Sequence, residues 1–475
     1  MNNLQKILSY GFAQLIDRIF SFMLMPILLY LLSVEQYAVW SQVIIVVGIV
    51  TPILHLGAPQ AIVKFFPGIE PKSGDFFSII TIFITLVIVI SISILFYFAH
   101  LFADIIFANE EAYIYIYALG ILIGNEVFYE LISAKLRHME KIVICSILLI
   151  LKSLNRLTIT SIVLFISGSD LSLALNMYAI TSSVISLGIF IKFGEIKSDH
   201  KRYKEIVIDD LWKFAKISTP FVPLAFIVGM NNFSDRFFIM HFLDMVSLGH
   251  YAAVYSLVAT SSLIYTSIGF IVYPSWSKIW SSLNFTEKGR EITKLLDGYF
   301  LFLIPFITGA ALLGPDLVYF IASQRISTDS ILCLGLAFSI GVFGISQLLS
   351  YALILQFSSS SLTFPFAISM LINVITNFLL IPYLALYGAV AASIMSNCFL
   401  VYFIVRRLKK YADLKINELS LTRNLKRLFF PLLLILILNQ VIDIKDGYIV
   451  IFKIFIVMIC YLTWFLKDLR TVFSI

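Results

Sequence analysis

Charged residues occur inside stretches of this chain that are otherwise apolar. They are Asp17, Arg18, Glu126, Glu130, Lys152, Arg156, Asp235, Arg236 and Lys453. A charge surrounded by hydrocarbon is costly, so such residues usually face the interior of a helix bundle or a water-filled cavity. They are therefore the first candidates for binding an ion or a charged group.

Two of these charged pairs have helical spacing. Lys152 and Arg156 stand one turn apart and share a helix face, and so do Glu126 and Glu130 on the preceding apolar segment. With a rise of 1.5 Å per residue, Glu126 and Lys152 both lie roughly 13–16 Å from the cytoplasmic end, and Arg156 lies at about 22 Å. We therefore expect that Glu126 and Lys152 can pair, whereas Arg156 lacks a nearby carboxylate.

Two interpretations of the cations remain open. In the first, Arg156, Lys152 and Arg18 line a cationic cavity between two helix bundles, where guanidinium groups bind an anionic group such as a diphosphate through paired donors. In the second, each cation is neutralised by a carboxylate in an interhelical salt bridge that only fixes packing.

The second interpretation applies most directly where a carboxylate is adjacent in sequence. Arg18 follows Asp17 and Arg236 follows Asp235, so these carboxylates, like Glu126 and Glu130, are candidates for ion pairing or ion coupling. Lys453 lies near the outer end of its segment, where a lysine can extend its ammonium to water.

Asparagines form another polar group. Asn373 and Asn377 stand one turn apart in an apolar segment. Their amides could hydrogen-bond a sugar, but asparagines also join helices to one another inside membranes. Both interpretations remain open.

The elements that position these residues are apolar segments long enough to cross a bilayer, which takes about 20 residues. About fourteen such segments occur, near residues 8–32, 38–63, 77–100, 112–134, 142–166, 173–193, 217–243, 248–274, 295–313, 330–355, 361–381, 386–405, 428–443 and 447–466. Together with 60% hydrophobic residues and a mean hydropathy of +0.97, they predict an all-α integral membrane protein.

The connections between these segments alternate in charge. Lys and Arg concentrate in every second connection, and the intervening connections carry Asp and Glu with Arg325 and Lys445 as their only cations. By the positive-inside rule, both termini lie in the cytoplasm. The net charge of +6 then reflects loops that face anionic lipid, and a nucleic-acid partner is not expected.

Signs of catalysis or metal binding are missing from the sequence. Cys145, Cys333, Cys398 and Cys460 are scattered through apolar segments, the six histidines are dispersed, and no glycine-rich phosphate loop occurs. We expect no enzyme activity, no cofactor and no metal site.

The two halves of the chain resemble each other weakly. Tyr37 and Lys64 recur 214 residues later as Tyr251 and Lys278, and three further residues recur at a spacing of 215. Six segments per repeat return the chain to its starting side, so the repeats are parallel, as in transporters that rock two halves about a central site. The predicted domains are a six-helix bundle over 1–205, a second over 206–410, and a basic linker with two additional helices over 411–475.

Two motifs in the second half resemble a known family. INVITNFLLIP from Ile372 to Pro382, followed by YGAVAAS up to Ser393, resembles the N-x-x-x-N-x-x-x-I-P…G-A-x-x-A pattern of polysaccharide flippases in the multidrug/oligosaccharidyl-lipid/polysaccharide exporter superfamily. DRFFI from Asp235, followed by LGHY up to Tyr251, is similar to the D-R-x-x-I…G-x-Y pattern of that family. The opening of the chain, with Glu35-Gln36-Tyr37 and Leu56-Gly57-Ala58, also looks like that of the family, except that Ala38 follows Tyr37 where the family usually has glycine.

The resemblance covers essentially the whole chain. It implies alternating-access transfer of an undecaprenyl-diphosphate-linked oligosaccharide, for O-antigen or capsule, across a bacterial inner membrane. Lipid-linked oligosaccharide, membrane lipids and other polysaccharide-assembly proteins are the implied partners.

Three alternatives to a polysaccharide flippase make different predictions about the sequence. A cation-coupled drug or metabolite antiporter of the same superfamily would have twelve spans and a cavity dominated by carboxylates. A membrane glycan polymerase or glycosyltransferase needs a large outer loop, whereas every predicted outer loop here is short. A purely structural membrane partner does not account for the buried charges.

Overall fold

Helices make up every regular element that the structure, a computed structural model, describes in residues 3–65, 73–193, 208–357 and 359–414. An apolar chain in lipid must satisfy its backbone hydrogen bonds within itself, and a helix does this locally. Twelve helices in these ranges are long and apolar enough to cross a membrane. The prediction of an all-α membrane protein is confirmed.

Contacts divide the chain into two units, Met1–Gly249 and His250–Ile475. The helices of the first unit are α1 (Asn3–Leu31), α2 (Val34–Leu54), α3 (Ala58–Phe65), α4 (Ser73–Tyr97), α5 (Ala99–Phe107), α6 (Ile114–His138), α7 (Ile142–Ile166), α8 (Leu171–Phe193), α9 (Ile208–Ser218) and α10 (Phe221–Phe242). Helix α11 (Met245–Val258) crosses the division. The second unit continues with α12 (Ser262–Ile279), α13 (Phe285–Ile321), α14 (Ser330–Gln356), α15 (Thr363–Leu384) and α16 (Leu386–Leu408).

The predicted spans correspond closely to these helices. The window 142–166 coincides with α7 and the window 330–355 differs from α14 by one residue. The thirteenth and fourteenth windows, with Lys453 and Cys460, lie outside the described residues. The predicted domain boundaries at 205/206 and 410/411 remain predictions. They separate repeats in the sequence, whereas the division at Gly249 follows from contacts between residues.

One predicted span is broken by a turn. The window 38–63 contains the end of α2 at Leu54, a turn over residues 55–57, and the start of α3. Leu56 and Gly57 have φ angles of 53° and 71°. A Cβ atom at Gly57 would lie 2.2 Å from the Ser218 carbonyl oxygen. Glycine is therefore required here both by the left-handed backbone and by the close approach of α9.

A buried apolar cluster attaches α9 to the first unit. Phe214 of α9 packs with Phe76 and Phe77 of α4 and with Val127 and Leu131 of α6. The Phe76 and Phe214 rings meet edge to face with centroids 5.6 Å apart. Burial of one such phenylalanine contributes about 1.5–3 kcal/mol relative to exposure in water. The helix that precedes α10 is thus held against the bundle.

In the second unit, α15 and α16 pack tightly as a hairpin. Ala385, with φ of 49°, is the single residue between them. A Cβ atom at Gly388 would lie 2.5 Å from the Leu380 carbonyl oxygen, so glycine permits the close approach of the two helices. After α16, the Asp413 N–H donates to the Phe285 carbonyl at 3.0 Å. This bond ties the end of the described chain to the start of α13.

Candidate functional site

Helices α1 and α7 are joined by an ion pair inside the first unit. Arg156 Nη2 of α7 donates to Asp17 Oδ1 of α1 at 3.1 Å, and it also donates to the Ser21 hydroxyl one turn further along α1. Ser153 Oγ lies 2.5 Å from the same Asp17 oxygen. The exposed fractions of the Arg156 and Asp17 side chains are 17% and 28%, so the pair is only partly shielded.

The expectation that Arg156 lacks a nearby carboxylate is wrong. The prediction depends on the carboxylates of the adjoining helix α6, whereas the partner of Arg156 is Asp17, 139 positions earlier in the chain. Close packing of α1 along α7 brings the two residues together. The structure places Asp17 and not Glu126 against this guanidinium.

The expected pairing of Glu126 with Lys152 is confirmed. Lys152 Nζ lies 2.5 Å from Glu126 Oε1 and 4.5 Å from the centre of the Tyr129 ring. Adjacent turns of α7 therefore carry two cations that pair with different helices, Lys152 with α6 and Arg156 with α1.

A small cavity of about 40 Å³, lined mostly by apolar side chains, lies beside the Glu126–Lys152 pair. Its polar lining includes Glu126, Lys152, Asn125, Asn155, Tyr178 and Ser182. Two amides close its wall by joining helices: Asn125 Nδ2 donates to the Ala179 carbonyl at 3.1 Å, and Asn155 Nδ2 donates to Ser182 Oγ at 3.1 Å. The volume is sufficient for a few water molecules and too small for a sugar.

Glu130 pairs with a histidine that the sequence did not single out. His55 Nε2, in the turn after α2, lies 2.9 Å from Glu130 Oε2 of α6. The Gly57 N–H donates to His55 Nδ1 at 3.1 Å, which makes Nδ1 the unprotonated nitrogen and places the ring proton on Nε2. His55 thus joins the turn between α2 and α3 to α6.

Arg236 and Asp235 are almost fully buried on α10, with exposed fractions of 4% and 3%. Arg236 Nη1 donates to Ser41 Oγ of α2 at 2.7 Å, and its guanidinium lies 5.6 Å from the centre of the Phe233 ring. The Arg236 N–H donates to Asp235 Oδ1 at 2.9 Å. This cluster connects α10 to α2 within the first unit.

Arg18 differs from the other candidate cations because its side chain is exposed. Among the described residues, no ion pair involves its guanidinium. Its role in binding a charged ligand remains a prediction.

Asn373 and Asn377 are buried in the second unit. Asn377 Nδ2 donates to Asn373 Oδ1 at 2.9 Å, and Asn373 Nδ2 donates to Ser396 Oγ of α16 at 3.1 Å. These bonds join α15 to α16, as the helix-joining interpretation expects. A role in binding sugar remains a prediction.

Several polar residues around the ion pairs were not predicted from the sequence. They are Ser21, Ser153, Asn155 and His55. One signal was available: Ser146, Ser153, Arg156 and Thr160 recur on α7 at spacings of seven, three and four residues. That spacing places them on one helix face.

The described ranges contain no candidate metal site. No group of three or more His, Cys, Asp or Glu residues there could hold a metal ion. Cys145 and Cys333 are buried free thiols, and Cys398 is an exposed one.

Solved structures of a lipid II flippase and of multidrug transporters have a similar fold. A lipid II flippase, MurJ, in an inward closed conformation is similar with a TM-score of 0.78 and 16% identity, covering 98% of this chain and 99% of that one. An inward-facing multidrug resistance transporter of the MATE family in the MOP superfamily is similar with a TM-score of 0.61 and 14% identity, covering 83% and 95%. The Vibrio cholerae MATE transporter VcmN in its bent form is similar with a TM-score of 0.53 and 13% identity, covering 86% of this chain and 96% of that one.

Sequence comparison gives the family itself. No curated protein matches the chain by sequence. The profile of the family described as polysaccharide biosynthesis protein matches residues 3–280, which is more than half of the chain. With its all-helical fold, the chain therefore belongs to the polysaccharide biosynthesis protein family.

Proposed function

We propose that this protein flips an undecaprenyl-diphosphate-linked oligosaccharide from the cytoplasmic to the outer leaflet of a bacterial inner membrane, by alternating access, during synthesis of O-antigen or capsular polysaccharide. The observation that carries the proposal is the similarity of nearly the entire chain to a lipid II flippase, together with its membership of a polysaccharide biosynthesis family.

Charge supports an anionic lipid carrier as the substrate. Arg156 and Lys152 stand on one face of α7, and exposed Arg18 lies beside Asp17 on α1. Guanidinium and ammonium groups in a partly shielded site attract the two phosphates of a diphosphate strongly. In this proposal these three cations hold the diphosphate, and Arg236 of the same unit contributes to the same field.

Two carboxylates neutralise the two cations of α7 when no substrate is bound. Asp17 and Glu126 each offset one cation of α7. In a cation-coupled antiporter, the carboxylates would outnumber the internal cations, because the transported cation needs their charge. The one-to-one balance on α7 favours the flippase.

A direct test is a flipping measurement on the purified full chain in liposomes. The substrate is an undecaprenyl-diphosphate oligosaccharide that carries a fluorophore on the sugar, and a membrane-impermeant quencher removes only the signal of the outer leaflet. We expect the accessible fraction to rise with time in protein-containing vesicles and to stay constant in empty ones.

Two control lipids define specificity. A fluorescent phospholipid should not flip, since flipping of every lipid would indicate a nonspecific scramblase. A fluorescent neutral polyprenol-linked sugar should not flip either, because it has no diphosphate. Failure to flip the oligosaccharide lipid, combined with uptake of a cationic drug under a sodium or proton gradient, would replace the flippase by the antiporter.

A further inference from the structure

One oxygen atom of Asp17 is bound by two groups of α7. Oδ1 lies 2.5 Å from Ser153 Oγ and 3.1 Å from Arg156 Nη2. The donors are three residues apart and share a helix face. A guanidinium and a hydroxyl that converge on one oxygen form a donor set that suits a phosphate oxygen as well as a carboxylate oxygen.

Arg156 retains the capacity to bind more than this carboxylate. Its Nη2 is held by Asp17 and Ser21, whereas its Nε and Nη1 have no partner among the described residues. Its side chain is 17% exposed, so an anion can approach it. The guanidinium is therefore oriented on one side and available on the other.

Ser153 also tolerates the loss of Asp17. Its hydroxyl lies 2.8 Å from the Leu149 carbonyl of its own helix, so its single proton has an alternative acceptor. Departure of the carboxylate would leave no buried donor unsatisfied at Ser153. The contact between α1 and α7 at this level can thus break without a large penalty on the serine side.

We propose that Ser153 and Arg156 form an oxyanion site on α7, that Asp17 occupies this site as an internal ligand, and that a phosphate group of the lipid substrate takes its place. The exchange breaks the link that Asp17 makes between α1 and α7. This inference rests on the proposed function for the source of the phosphate, and it adds that Asp17 competes with the substrate. The apparent affinity for the substrate then equals the intrinsic affinity multiplied by the fraction of molecules in which Asp17 does not occupy the site.

Competition predicts effects of opposite sign for the members of this cluster. Asp17→Asn removes the charge of the competitor while keeping its shape, and we expect it to bind diphosphate about tenfold more tightly, the factor that corresponds to one charge-assisted hydrogen bond. Ser153→Ala removes a donor and should weaken binding several-fold, and Ser153→Thr should restore it. A purely structural role for Asp17 would give weaker binding in Asp17→Asn.

The measurement is calorimetric binding of farnesyl diphosphate to the purified full chain in detergent. Farnesol tests whether the tail alone binds, and inorganic pyrophosphate tests whether the site takes free phosphate instead of a lipid-linked one. Matched controls are Glu291→Gln, which removes a paired carboxylate of 31% exposure on α13, and Ser161→Ala, which removes a serine of α7 whose hydroxyl bonds the Leu157 carbonyl. Neither control should change the affinity.

Folding is checked by the thermal unfolding and elution volume of each variant. If Asp17→Asn does not fold, Ser153→Ala decides, because it leaves no charge unpaired. Unchanged affinity in Ser153→Ala, or equal or weaker affinity in a folded Asp17→Asn, would overturn the oxyanion site. If the affinities follow the expected pattern but no oligosaccharide lipid is flipped, the oxyanion site stands and the proposed flippase function fails.

Discussion

At the scale of single residues, two adjacent turns of α7 hold cations that pair with different helices. Arg156 pairs with Asp17 of α1 and Lys152 pairs with Glu126 of α6. Each pair is partly exposed, and the proposed function requires that each hold the bundle together and also meet an incoming anion. Substitutions must therefore separate a structural contribution from a binding one.

Arg156→Ala should reduce both the yield of folded protein and flipping. The unpaired Asp17 carboxylate costs up to about 3–5 kcal/mol in a shielded site. The double variant Asp17→Asn/Arg156→Ala should recover the yield, since no charge is left unpaired, but not flipping. Arg156→Lys should fold and flip slowly, because a point charge replaces the guanidinium fork. Yield and flipping are measured on the same preparations, and normal flipping in Arg156→Ala would exclude a binding role.

Lys152→Met removes the ion-pair partner of Glu126 beside the small cavity. We expect it to lower the free energy of unfolding by about 1–3 kcal/mol, because the Glu126 carboxylate is left unpaired. The double variant Glu126→Gln/Lys152→Met should recover most of this loss. The comparison is Lys294→Met, which breaks an exposed pair with Glu291 and should cost no more than about 1 kcal/mol. Equal losses in Lys152→Met and Lys294→Met, measured by denaturation in detergent, would refute a special role for the α7 pair.

At the scale of elements, short polar joints fix how helices meet. The turn between α2 and α3 is bound to α6 through His55 and Glu130 and is pressed against the end of α9. In the second unit, Asn373 and Ser396 join α15 to α16. These joints lie at the positions where an apolar pattern alone does not define the packing.

Gly57→Ala tests the joint between α2 and α3. Its Cβ atom would meet the Ser218 carbonyl in addition to the left-handed strain of about 1–2 kcal/mol, so we expect a larger loss of stability than strain alone gives. Gly168→Ala is the matched control, since Gly168 has φ of 67° and no atom lies within 4 Å of its Cβ position. The difference between the two unfolding midpoints isolates the contact with α9, and equal midpoints would show that α9 yields to the side chain.

At the scale of the whole molecule, the sequence determines the spans better than it determines their contacts. Existence and length of the helices follow from apolar runs, as α7 and α14 illustrate. Glu126 and Lys152 could be paired in advance because a short connection places α6 and α7 side by side. The pairing of Asp17 with Arg156 could not be predicted, because it depends on the packing of two helices that are distant in sequence. The turn at residues 55–57 was missed because hydropathy stays high across it.

The predicted topology can be tested with reporter fusions along the full chain. Fusions after Lys72, Arg202 and Lys410 should report the cytoplasm, and fusions near Glu110, Asp170 and Asp329 should report the outer side, because cationic connections are retained inside. Each fusion is made with an enzyme active only outside and one active only inside. An inverted neighbouring pair would show that the number of spans before it is wrong.

The charge balance of the two α7 pairs has an electrical consequence. Two cations and two carboxylates sum to zero, so these two ion pairs add no net charge of their own to the proposed transport cycle. A diphosphate diester carries about two negative charges, one per phosphate. Its outward movement across a membrane that is negative inside is then favoured by roughly 4.6 kcal/mol per 100 mV. In the proposed flippase, the membrane voltage itself would therefore favour export without a co-transported ion, and collapse of the voltage should slow the appearance of the oligosaccharide lipid in the outer leaflet.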